Sequence, residues 1–392
     1  MRILQKEISG FSVGNITFLL LFSFFYLSYY LDTITSNNFG QYILIILAIF
    51  ISVLAFREQK ININILALLF ATLIFLTIGL ISLSTLWFSP YPIFAYLGPL
   101  IALLLVWTSR DTVIKVVKVG VYISIPIAIY EVFAHHYLFL VTKDIDGLIV
   151  TMDENVLSGI YTFLRAKTFF PGPLAYGQFL IISALILFPK HKTVLVCLIG
   201  ALLSGSRLAI IAIFIIYIAS LLVNKKYGAI GLGFMLCIVI AVIMSILNVV
   251  SGQNVGGEYI GRLFNAFNFD NEGNYARLGY WSMGLQLYSN YDLVHQLLGN
   301  GGYMQHINGN SAENGYINLL VESGIVGLLF YLCGLFVLLN DLKFKAMLGF
   351  IVINIAMMVQ VFYMGRVINI LLWFFIFYSV LSKNAVHQQA RK

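Results

Sequence analysis

The chain has 392 residues, 60% of them hydrophobic and 10% charged, with a mean hydropathy of +0.94 and a formal net charge of +7. Soluble domains carry about 25% charged residues and cannot hide this much apolar surface, so a soluble globular fold is excluded. What remains is an all-α polytopic membrane protein.

Twelve apolar segments are expected to span the bilayer: 11–31, 41–56, 63–86, 92–108, 114–134, 172–189, 193–204, 207–223, 228–249, 324–340, 346–363 and 367–382. The first follows MRILQKE, has 21 residues and lacks a small-residue cleavage site, so it is read as a retained span and not as a signal peptide. Every alternate connection is basic. Sixteen of the 23 Lys and Arg residues fall on one side, which the positive-inside bias makes cytoplasmic together with both termini. Sixteen basic against four acidic residues give +12 inside, and seven against twelve give −5 outside. The basic excess therefore records topology and anionic lipid contact, with no nucleic-acid partner implied. The chain is read as one integral membrane domain with two external loops, 135–171 and 250–323. In the second loop, GEYIGRLFNAFNF and YARLGYWSMGLQLYSNYDLVHQLLGNGGY suit short amphipathic helices on the membrane surface.

Five of the seven external basic residues are Arg, against four Arg and twelve Lys inside. Arg forks onto phosphate where Lys offers only a point charge, so external arginines on the disfavoured side point to an anionic ligand. Arg165 and Lys167 lie in FLRAKTFFPGPLAYG, before the sixth span, where headgroup snorkelling competes with ligand binding. Arg207, in LLSGSRLAII, sits in a hairpin with almost no loop, where an embedded charge favours function. Arg277 lies in NYARLGYW and Arg366 at the turn between the last two spans, while Arg262 is read as a structural ion pair.

The stretch NGNSAENGYINLLVESGIVG brings Glu313 and Glu322 to the lip of an apolar run. On one helix they are half a turn out of phase, whereas Asn314, Asn318 and Glu322 share a face. Glu313 has two readings: the third residue of a capping box begun by Asn310, or a functional carboxylate. Glu131 and His135 are four apart and would share a helical face, yet no third metal ligand accompanies them. His306 is read as a surface residue, and Cys197, Cys237 and Cys333 as small apolar residues within spans. No Walker loop, Rossmann fingerprint or nucleophile elbow is present.

Arg165 running into FFPGPLAYG, the SGSR hairpin at 204–207, and ARLGYW, LLGNGGY and ENGYINLLVESGIVG in the second loop occur in an order that resembles the Wzy-type O-antigen and capsular polysaccharide polymerases, within the group that also contains the O-antigen ligases. The resemblance implies a GT-C-like bundle in the bacterial cytoplasmic (inner) membrane. It implies a metal-independent glycosyltransferase without cofactors that moves a growing glycan from undecaprenyl diphosphate onto the non-reducing end of a lipid-linked repeat unit. Membrane lipid, a chain-length regulator and a flippase are the accompanying partners. Glu313 and Arg277 are the implied catalytic residues, with Arg165, Arg207, Lys167, Arg366, Asn314, Tyr316 and Glu322 binding diphosphate or glycan. Ligases carry His-Asn-aromatic where this chain has Glu313, Asn314, Gly315 and Tyr316, which favours polymerase over ligase. Eleven residues separate Arg165 from Gly177, one more than the arginine-to-glycine spacing described for some polymerases. Transport of lipid or polysaccharide is the third reading, disfavoured by the scarcity of ionisable residues at mid-membrane depth.

Overall fold

A computed structural model describes residues 13–30, 39–55, 63–85, 93–139, 141–145, 148–152, 164–226, 272–339, 343–362 and 366–389. They form a helical protein: α1 (Val13–Phe22, continued by a π-helical segment Ser23–Leu27), α2 (Phe39–Ala55), α3 (Ile63–Thr85), α4 (Ile93–Ala134), α5 (Pro173–Leu187), α6 (His191–Ser204), α7 (Arg207–Val223), α8 (Glu272–Ser289), α9 (Leu293–Leu298), α10 (Tyr303–Asn308), α11 (Gly315–Val337), α12 (Phe344–Val359) and α13 (Arg366–Gln389). Non-helical regular structure among the described residues is one antiparallel hairpin between α4 and α5, β1 (Val141–Ile145) paired with β2 (Leu148–Met152), with Val141 opposite Met152. Helical periodicity alone does not anticipate it, although the two strands are rich in β-branched residues.

Among the described residues, three helices are long and apolar enough to cross a membrane: Ile65–Ser82, Ala95–Ala134 and Gly315–Val337. The others that are apolar are shorter, among them α5, α6, α7 and α12. The expected span 228–249 lies outside the described residues, as do Arg262 and GEYIGRLFNAFNF. The expected spans 92–108 and 114–134 are joined in α4, whose 42 residues amount to about 63 Å of helix, twice a hydrocarbon core. Its break falls at Ser109 (φ −139°, ψ 26°), directly before the charged pair Arg110 and Asp111.

The chain divides into two compact units, residues 1–120 with 285–392, and residues 121–284. In the first, the core is aromatic. Phe75 stacks on Phe330 at 4.1 Å and meets Tyr331 edge-on, and Trp373 packs against both Phe330 and Tyr331. Asn369 ties this core together, accepting from Tyr331 Oη at 2.9 Å and donating to the Ala95 carbonyl at 3.2 Å. Its apolar exterior, with Ile46 62% and Phe70 66% exposed, suits lipid contact.

In the second unit, α5, α6 and α7 pack on one another. Gly172 precedes Pro173 at the start of α5, where a missing N–H costs nothing. Gly205 ends α6 with φ +60°, the left-handed stop that a glycine supplies without strain, and Ser206 begins α7 at once.

Candidate functional site

In unit two, Arg165 meets the α6–α7 corner that carries Arg207. Arg165 is buried, and its Nε donates to the Ser204 carbonyl at 3.1 Å across 39 residues of chain. The next residue, Ala166, donates its N–H to the Leu203 carbonyl at 3.0 Å. A Cβ on Gly205 would lie 3.2 Å from Arg165 Nε, so the corner and the guanidinium are fitted closely. Gly177 meets the same corner from α5, since a Cβ there would stand 2.8 Å from Ser206 Cβ. Arg165 and Gly177, eleven residues apart, thus converge on one hairpin despite the altered spacing.

Arg207 is the first residue of the seventeen-residue α7. Helix N-termini present unpaired N–H groups and a positive dipole end, which favours an anion. Arg165 and the α7 start therefore make a corner suited to phosphate oxygens, with Arg207 in the same turn. Arg277 stands on α8, half-buried, in the same unit.

Lys167 is fully buried. Its ammonium donates to the Phe139 carbonyl and lies 4.9 Å from the Tyr137 ring centroid. Burial pushes it down to about 8, opposed by the negative charge of Glu131.

Glu131 was paired on sequence with His135 on one helical face. That pairing is corrected: α4 ends at Ala134, and His135 turns away with φ +51°. The Glu131 Oε2 instead accepts the backbone N–H groups of Lys167 at 2.9 Å and Thr168 at 2.8 Å. Sequence reasoning missed this role. The signal for it was an ionisable residue in the apolar run PIAIYEVFA, which requires a specific partner.

In unit one, α11 starts later than the capping-box reading requires. Asn314 is the N-cap, its Oδ1 accepting Tyr316 N–H at 3.0 Å and Ile317 N–H at 3.1 Å. Glu313 precedes the cap in a left-handed conformation (φ +51°), so Asn310 does not begin the helix and Glu313 is not its third residue. Glu313 is half-buried and its Oε1 accepts from Asn310 Nδ2 at 3.2 Å. Tyr316 Oη donates to Asn354 Oδ1, and Asn314 Nδ2 to the Met358 carbonyl at 3.0 Å. Arg366 begins α13, buried, with its guanidinium 5.9 Å from the Tyr29 ring centroid.

The other two members of the polar stripe, Asn318 and Glu322, also bond to backbone groups. Asn318 accepts Ala312 N–H at 3.0 Å, and the buried Glu322 carboxylate accepts Gly302 N–H. The helix breaks just beyond, at Gly324 (φ +62°, ψ −169°), and the Glu322 carbonyl is taken by Tyr96 Oη at 2.9 Å and Ser82 Oγ at 3.3 Å. The GNGG turn lies against this break: Asn300 N–H donates to the Val321 carbonyl at 3.0 Å and Gly301 N–H to Ser82 Oγ at 3.1 Å.

A helical protein with candidate membrane spans thus carries, in one unit, an arginine-lined corner at a helix start and, in the other, a carboxylate just before a helix cap. Residues 193–332 of the 392 match the family model described as O-antigen ligase (Wzy_C). The match includes the α6–α7 corner and the stretch from Arg277 to Glu322. No curated protein matches the chain.

Proposed function

We propose that the protein is a polysaccharide polymerase of the bacterial cytoplasmic membrane, a GT-C-like bundle of about twelve spans with both termini cytoplasmic, acting on the external face. An acceptor sugar hydroxyl attacks the anomeric carbon of the donor glycan. The bond from that carbon to the diphosphate oxygen breaks, undecaprenyl diphosphate departs with the electron pair, and the hydroxyl proton passes to Glu313. Arg165, Arg207 and Arg277 stabilise the departing diphosphate, with Lys167 adding positive charge. Asn314, Tyr316, Glu322 and Arg366 shape the glycan side. No metal or cofactor enters this scheme, and a flippase and chain-length regulator are the natural companions.

The observation that supports this reading most is Arg165 Nε on the Ser204 carbonyl. It seats an external guanidinium at the start of α7, where both the side chain and the helix end favour a diphosphate. The ligase reading has its own support, since the matched family model carries that description. Deletion of the gene separates the two: loss of a polymerase leaves single repeat units on the final acceptor, whereas loss of a ligase strands full-length polymer on its lipid carrier. Stranded polymer would overturn the polymerase reading.

A further inference from the structure

The end of α4 carries a carboxylate that the chemistry above does not use. Glu131 is fully buried, and one oxygen, Oε2, receives two consecutive backbone N–H groups, from Lys167 and Thr168. Consecutive amides converge on one atom only where the chain turns sharply. Thr168 makes that turn with φ +50°, a conformation a β-branched residue holds only when its surroundings impose it. Immediately upstream, Tyr137 Oη donates to the Arg165 carbonyl at 3.1 Å, and Arg165 and Ala166 are fixed on the α6–α7 corner. The turn therefore sets where the Arg165 guanidinium points.

A buried carboxylate here has two competing employments, as counterion to Lys167 or as a proton carrier. The Lys167 ammonium is engaged with the Phe139 carbonyl and the Tyr137 ring, which disfavours the first. The double amide contact needs an acceptor atom at a fixed reach and does not need its charge.

We propose that Glu131 is the positioning residue of the diphosphate site: its carboxylate oxygen holds the 165–168 turn in the left-handed conformation that seats Arg165 on the α6–α7 corner. This rests on the reading of Arg165 as a diphosphate ligand.

Length and charge can be varied separately. Glu131→Gln keeps the reach and an acceptor oxygen without the charge, while Glu131→Asp keeps the charge and withdraws the oxygen by one methylene. Binding of inorganic pyrophosphate and of the lipid-linked donor is measured on the purified full chain, with melting temperature as the control for folding. Glu131→Gln is expected to bind as the parent does. Glu131→Asp is expected to raise the donor KM about tenfold, the scale of one hydrogen bond, with the acceptor KM unchanged. Adding Thr168→Gly to Glu131→Asp should recover part of the loss, because glycine holds φ +50° without a clamp. The opposite order, with Asp intact and Gln impaired, overturns the proposal, as does equal loss in both or no loss in either. Should Glu131→Asp not fold, Glu131→Gln alone decides, since loss of binding there means that the charge matters. Arg165→Ala separates the two levels: if it binds pyrophosphate as the parent does, the diphosphate reading itself fails, whatever Glu131 does.

Discussion

Arg165 Nε and the Ser204 carbonyl lie 3.1 Å apart, so the inner nitrogen of the guanidinium fixes the side chain to the α6–α7 corner. Lysine has no such inner nitrogen. Its single ammonium cannot reproduce the planar, several-donor geometry of the guanidinium at that corner. Arg165→Lys is therefore expected to lose activity nearly as far as Arg165→Ala, by about 10- to 100-fold, the equivalent of a hydrogen bond to a charged group. Elongation of a purified lipid-linked repeat unit in liposomes measures it. Parental rates in the lysine variant would mean that point charge suffices and that the planar geometry has no part.

Gly177 and Gly172 provide a matched pair. A Cβ at 177 would sit 2.8 Å from Ser206 Cβ and 3.1 Å from Ala209 Cβ, whereas nothing lies within 4 Å of one at 172. Gly177→Ala should push α5 from the α6–α7 corner at an overpacking cost of about 1–3 kcal/mol, with activity falling alongside melting temperature. Gly172→Ala, where φ is −166°, should change neither appreciably. Equal effects at the two positions would show that close approach to Ser206 is not what Gly177 supplies.

What could be read from sequence was mostly what repeats locally. Apolar runs located the helices and Gly205 and Ser206 marked the tight corner, whereas the span expected to begin at 324 belongs to an apolar helix that starts at Gly315 and breaks at Gly324. Local spacing also misled. Asn310 and Glu313 have the separation of a capping box, but the left-handed Glu313 postpones the helix to Gly315. Glu131 and His135 have helical spacing, yet the helix stops between them. Glu131 to the 167–168 amides, Glu322 to Gly302 and Ser82 to Gly301 were not legible. Each joins a side chain to a backbone group 20 to 219 residues away, and periodicity carries no information about where a loop returns.

Lys167 sets a pH dependence whose sign is opposite to that of a paired lysine. Its folded-state value is held near 8, below the ordinary 10.5. Between those limits the unfolded chain binds the proton and the folded chain does not, so stability rises with pH across that window and is flat below it. The full span corresponds to about 3 kcal/mol. Melting temperature of the detergent-purified protein, taken as the difference between parent and Lys167→Met, should narrow in favour of the parent from pH 8 to pH 10. A difference independent of pH would mean that Lys167 is not held down by burial.

Gly299 and Gly324 face each other across the GNGG turn. A Cβ on Gly299 would lie 2.3 Å from Glu322 backbone atoms, and one on Gly324 2.3 Å from the Leu297 carbonyl oxygen; both residues have positive φ. Neither obstacle is a flexible side chain, so alanine at either position is expected to prevent stable folding. Gly309 also has positive φ (+66°) but nothing within 4 Å, so Gly309→Ala should cost only the conformational term, about 1 kcal/mol. Yield of monodisperse protein after extraction distinguishes them. Well-folded Gly299→Ala would show that the turn does not rest on the Gly324 break.

Glu313 and Asn314 separate capping from chemistry within two residues. Asn314 receives the Tyr316 and Ile317 N–H groups, so Asn314→Ala removes the cap and should lower stability by about 1 kcal/mol or more. Glu313 lies outside the helix at φ +51°, where glycine is unstrained. Glu313→Gly gives up the Asn310 contact but relieves the left-handed backbone, so stability should stay within about 1 kcal/mol of the parent. Its activity should nevertheless fall by about 100-fold or more, the range of a lost general base, while donor binding persists. Melting temperature and single-turnover elongation, measured on the same preparations, test both halves. A Glu313→Gly protein that unfolds early but elongates normally per folded molecule would return Glu313 to a structural role and leave the acceptor hydroxyl without a base.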